Sequence, residues 1–192
     1  MARGRTLEQI AESVQNLTRR YGENQPDRLA SAMGIMVAYE PMGLYEGCCK
    51  GFFIVHRRMK HITINCDLPR ELQRVVLAHE LGHAVLHCNQ ASLANFHEFT
   101  LFDDTDALEF EANIFAADLL MTDEQVLDVL NEDTFFFQAA HILNVPAELL
   151  DFKFRLMKRR GYQLNSPITA SGDFMKKLEK DLSDVPQDTY FS

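Results

Sequence analysis

The chain has 192 residues, 46% apolar and 24% charged, the composition of a globular protein and not of a disordered or fibrous one. Its 19 basic and 28 acidic residues leave a net charge of −9, which disfavours non-specific phosphate binding. No uncharged apolar run approaches the roughly 20 residues of a bilayer span, and MARGRTLEQIAE has no apolar stretch resembling a signal peptide, so a cytoplasmic location is expected.

Thr6 is a candidate N-cap for a helix over 6–20, whose Leu7, Ile10, Val14 and Leu17 share one stripe. Pro26 and Asp27 open a short helix ending near Gly34, and IMVAYE (35–40) reads as a strand. A Gly-containing loop over 41–51 follows. FFIVHR (52–57) and HITIN (61–65) then form a hairpin around RMK. Asp67 and Pro69 begin a helix running to about Cys88. A loop over 89–104 leads to a helix over 105–121. Shorter helices follow over 123–131, 134–144 and 146–160, and residues 172–183 form a charged helix. Helices, about three strands, then helices give an α+β fold with segregated layers. The expected division is a domain over 1–161 and a polar, partly helical extension over 162–192.

Cys48, Cys49, Cys66 and Cys88 contain no CxxC spacing, so they read as reduced thiols and not as a zinc site. Charge is unevenly placed. Residues 75–152 hold 15 Asp and Glu and no Lys or Arg, leaving a surplus of six positive charges elsewhere. Such a segment attracts cations and cationic proteins and repels DNA.

Residues 77–87, LAHELGHAVLH, contain His79-Glu80-Leu81-Gly82-His83, an HExxH pattern. Helical residues four apart lie on one face, so two imidazoles can grip one ion about 2.0–2.1 Å away. Glu80 cannot easily join them, but it can reach a water at the metal, as a general base must. The surrounding helix is strongly apolar, and unpartnered imidazoles there are costly. Gly82 costs about 1 kcal/mol relative to alanine, which is tolerated where something packs close. His87 lies about 12 Å of rise beyond His79, too far to share its ion, and reads as a packing group or a hydrogen-bond partner of a ligand.

A third ligand is expected in LEFEANIFAADLLM (108–121). Glu109 and Glu111 lie about 200° apart around a helix. Glu111 shares its stripe with Ala107, Ile114, Phe115 and Leu119, where a carboxylate needs a compensating charge. Glu109 aligns with the more polar Asp106 and Asn113. Glu111 is therefore the expected ligand. Asp118, on the same face, is a candidate to hydrogen-bond a ligand histidine.

HELGHAVLH followed by EANIFAADLLM resembles the ImmA/IrrE metallopeptidases, as do the DRLASAMGI-like segment, the ITIN strand and AAHILNVPAELLDFKF. The resemblance covers most of residues 1–157. It implies a minimal zincin-like fold, with a small, mainly antiparallel sheet packed against the active-site helix and further C-terminal helices. It implies one Zn2+ held by His79, His83 and Glu111, with Glu80 catalytic. It also implies cleavage of a helix-turn-helix repressor, derepressing stress or mobile-element genes. The substrate peptide is expected along a free sheet edge, either 52–57 or 61–65. Tyr39, Tyr45, His97 and His141 are candidates for stabilising the oxyanion. The expected partner is a basic DNA-binding repressor, with no direct nucleic-acid or membrane contact. The alternative is a non-enzymatic metal-containing antirepressor acting by binding. A DNA-binding regulator, resting on KFRLMKRR (153–160), has weaker support.

Overall fold

A computed structural model describes residues 4–45, 47–88, 106–130 and 134–167. Within them are seven helices and three strands: α1 (Leu7–Tyr21), α2 (Pro26–Ala32), β1 (Met36–Glu40), β2 (Gly51–His56), β3 (Met59–Asn65), α3 (Arg70–Leu86), α4 (Asp106–Leu120), α5 (Asp123–Val129), α6 (Phe136–Ile142) and α7 (Ala147–Arg159). The α+β architecture and the order of elements match the sequence expectation. The loop over 89–104 and the helix over 172–183 lie outside the described residues.

Local signals set these boundaries. Thr6 and Gln9 form a reciprocal capping box: Gln9 N–H donates to Thr6 Oγ1 at 3.3 Å and Thr6 N–H to Gln9 Oε1 at 2.9 Å. Thr122 and Gln125 repeat the device at α5. Gly22, at φ 64°, ends α1 in the left-handed conformation.

The sheet order is β1-β3-β2. It is mixed, not mainly antiparallel: β1 runs parallel to β3 and β2 antiparallel to it. The hairpin puts β2 on one side of β3, and β1 takes the other side running in the same direction as β3. The hairpin turn is Arg57-Arg58, both at positive φ (48° and 68°), the backbone of a tight two-residue turn. Among the described residues β3 is therefore central, which removes 61–65 as an edge and leaves β2 as an edge strand of the sheet.

Sheet, α3 and α4 stack in layers, with α1 and α7 packed on the far side of α4. The core runs through this stack, from Ile62 and Ile64 through Val76 and Leu81 to Phe115, Phe152 and Phe154. Two glycines set the spacings. A Cβ on Gly51 would lie 2.6 Å from Val76 Cγ1 and 3.0 Å from the Thr63 carbonyl, so β2 sits directly on α3. A Cβ on Gly82 would lie 3.0 Å from Ala112 Cα, so α3 and α4 touch backbone to backbone. Buried Asn65 ties down the loop before β2. It accepts from Met42 and Asp67 N–H and donates to the carbonyls of Gly43 and Cys49.

Candidate metal centre

The close approach at Gly82 brings side chains of α3 and α4 into one cluster. His79 and His83, one turn apart on α3, face each other through Nε2 at 3.0 Å. Glu109 of α4 completes the group, with Oε2 3.2 Å from His79 Nε2 and Oε1 3.4 Å from His83 Nε2. One ligand atom from each of the three lies within 4.8 Å of the others.

The structure brings Glu109 to the two histidines, and not Glu111, the third ligand expected from the sequence. Glu111 is buried but belongs to a different set of partners. Its carboxylate accepts from Arg5 N–H at 2.7 Å, Arg5 Nη1 at 3.0 Å and His87 Nε2 at 3.1 Å. The polar stripe of α4 is the one turned to α3: Glu109 and Asn113, four apart, both face its histidines.

Asn113 is a residue the sequence reading missed in this role. Its Oδ1 lies 2.8 Å from His79 Nδ1, so the neutral ring carries its proton on Nδ1 and turns a lone pair on Nε2 into the cluster. The signal was available as the i, i+4 pair with Glu109. His87 Nδ1 lies 3.0 Å from His83 Nδ1. Asp118 does not reach the histidines. Two turns beyond Glu111, it is bound by Lys153 Nζ at 2.6 Å and Arg160 Nη2 at 2.9 Å. His97, one of the oxyanion candidates, and the side chains of the acidic stretch 98–106 lie outside the described residues.

The donor set fits a divalent cation. Two imidazole lone pairs and a carboxylate converge, and Glu109 Oε2 is buried without a hydrogen-bond partner. Buried acceptors meeting one another without a donor need a positive charge between them.

Glu80 is 4% exposed and lies beside this cluster. Burial pushes its carboxyl up to about 7; His83 opposes this, Glu109 adds to it, and the Phe53 backbone N–H opposes it. That N–H belongs to β2, so the Glu80 carboxylate hangs from the strand next to α3.

Residues 30–155 match a peptidase family described as the IrrE N-terminal-like domain. The chain is 38% identical over 144 residues to "uncharacterized immunity region protein 2" of Bacillus phage phi105, covering 75% of this chain and 88% of that protein. It is 28% identical over 152 residues to metallopeptidase ImmA of Bacillus subtilis (strain 168), covering 77% and 85%. It is 31% identical over 123 residues to the radiation response metalloprotease IrrE of Deinococcus deserti, covering 61% of this chain and 42% of that protein. No helix among the described residues is long and apolar enough to cross a membrane. A metal-fitting cluster on paired helices, within a family match spanning most of the chain, leads to one assignment: this chain belongs to the IrrE N-terminal-like family of metallopeptidases.

Proposed function

We propose that this chain is an intracellular zinc-dependent peptidase that cleaves a helix-turn-helix repressor and so derepresses the genes it silences. The observation that carries the catalytic part is the convergence of His79, His83 and Glu109, one buried and two half-buried, beside the buried carboxyl of Glu80. Zinc suits two nitrogens and one carboxylate with a fourth position open.

His79, His83 and Glu109 would hold the ion. When bound, the ion supplies Lewis acidity at the scissile carbonyl and at the attacking water. Glu80 moves the proton: it takes one from the water as the new C–O bond forms and delivers it to the amine as the C–N bond breaks. A carboxyl raised by burial is suited to both directions, and beside a bound cation it would favour the carboxylate form that the first step needs. The substrate strand pairs along the outer edge of β2, whose Phe53 N–H already faces Glu80.

Glu80→Gln tests this reading. The amide is nearly isosteric and cannot take the proton, so metal content should persist while cleavage of a candidate repressor falls by about 10²–10⁴-fold. Near-wild-type cleavage would remove Glu80 from the mechanism. Full biological activity with no cleavage would favour the antirepressor that acts by binding.

The repressor as substrate is supported by the relative named for a phage immunity region and by the acids between 75 and 152 that stand outside the metal centre and the Lys153 and Arg160 ion pairs. A basic partner should be steered to such a surface, so cleavage should slow as salt shortens the field to about 8 Å at physiological ionic strength. Reversing Asp103, Asp104 and Asp106 to lysine should raise KM more than it lowers kcat. Rates indifferent to both changes would sink the steering argument.

A further inference from the structure

Glu111 is buried and expensive to keep there, and it does not touch the cluster of His79, His83 and Glu109. Its partners nevertheless lead back to that cluster without a gap. Arg5 N–H and Nη1 bind Glu111, Glu111 Oε2 lies 3.1 Å from His87 Nε2, and His87 Nδ1 lies 3.0 Å from His83 Nδ1.

Donor bookkeeping gives this chain one direction. With His83 binding through Nε2, its remaining proton sits on Nδ1 and is donated to His87 Nδ1. His87 must then accept at Nδ1 and carry its own proton on Nε2, which faces Glu111 Oε2. Glu111 accepts there and accepts again from Arg5. Every contact has one donor and one acceptor, and reversing any of them would leave two donors or two acceptors facing each other.

We infer that the Arg5–Glu111–His87 chain is a positioning device for His83, so that the segment preceding α1 is part of the metal centre. This rests on His83 being a ligand, as proposed above. The arm is anchored twice, since Arg5 Nη2 also donates to the Leu86 carbonyl at 2.6 Å, at the end of the helix that carries the histidines. Gly4 seats the backbone closely: a Cβ there would lie 3.2 Å from Glu111 Oε1. His79 receives the matching service from Asn113, so each ligand imidazole has its outer nitrogen fixed.

The test is zinc affinity of the folded full chain, measured by chelator competition, with the visible spectrum of the cobalt(II)-substituted protein as a second readout. His87→Ala and Glu111→Ala should each weaken affinity by about 10–100-fold, and Arg5→Ala by less. The cobalt spectrum should change in the same variants, because the orientation of one ligand ring changes. Glu111→Ala should add nothing in a His87→Ala background, since both act through one path. Should a core variant fail to fold, Arg5→Ala still decides, because Arg5 lies on the surface ahead of α1. Wild-type affinity and spectrum in Arg5→Ala would remove the arm from the centre. Additive losses from Glu111 and His87 would overturn the single path. A wild-type chain that binds no metal would overturn this inference together with the peptidase reading, whereas a binding wild type with unaffected variants would overturn this inference alone.

Discussion

Helix α4 carries two polar clusters that differ in one respect. Near its start, Glu109 meets two imidazoles, and the group brings together acceptors without a cation. Near its end, Asp118 meets Lys153 and Arg160, and the same two cations bind Asp123 just beyond the helix. There two carboxylates face two cations and the charge closes. The second arrangement is what a protein builds when it neutralises buried acids from within its own chain. The first is what remains when the neutralising charge comes from outside. Burial alone does not separate the two, since Glu109 and Asp118 are both largely withdrawn from water. Charge balance does.

The sharpest break would come from Glu109→Ala. Removing a direct ligand should lower metal affinity by more than the 10–100-fold expected for an outer partner, while leaving the Asp118 cluster and the fold intact. Metal content unchanged in this variant, with loss in Glu111→Ala, would restore Glu111 as ligand. At the other end of the helix, Lys153→Met should destabilise the protein by about 3–5 kcal/mol, because it leaves two carboxylates against one guanidinium. Chemical denaturation would report this, and metal content per folded molecule should stay at the wild-type level. A fall in metal content would mean that the two clusters are not independent. Gly82→Ala should have the smallest effect. Overpacking against Ala112 costs about 1–3 kcal/mol, and better helix propensity returns at most about 1. Because the contact is with backbone, the helices must part, so a modest loss of stability should be accompanied by weaker metal binding. A variant more stable than wild type would show that the spacing at Gly82 is slack.

Much of this was legible in the sequence where the signal is local. Thr6 and Pro26 placed helix starts within a residue or so, because a helix-start signal acts on its own first turn. The HExxH spacing placed two side chains on one face for the same reason. What failed was non-local. The choice between Glu109 and Glu111 turned on which face of α4 meets α3, and hydrophobic stripes point to the core without saying which part of it is polar. The central position of β3 depends on a partner more than 20 residues away along the chain. Arg5 precedes any periodic segment, so no pattern linked it to a carboxylate 106 positions later.

The order in which a ribosome delivers these charges follows from the uneven distribution of cations. Between Arg74 and Lys153 the chain brings out 15 acids and no base. Asp118 and Asp123 must wait for residues 153 and 160 before their charges close, whereas Arg5 is available to Glu111 from the start. At roughly 5–20 residues per second the wait is a few seconds, during which α4 cannot dock fully without leaving acids unpaired. Completion of α7 therefore gates the assembly of the helical layer. Chains stalled after residue 152 should remain open to protease within α4, and chains extended past 160, and clear of the exit tunnel, should become resistant. Equal resistance at both lengths would show that the helical layer closes without its cations.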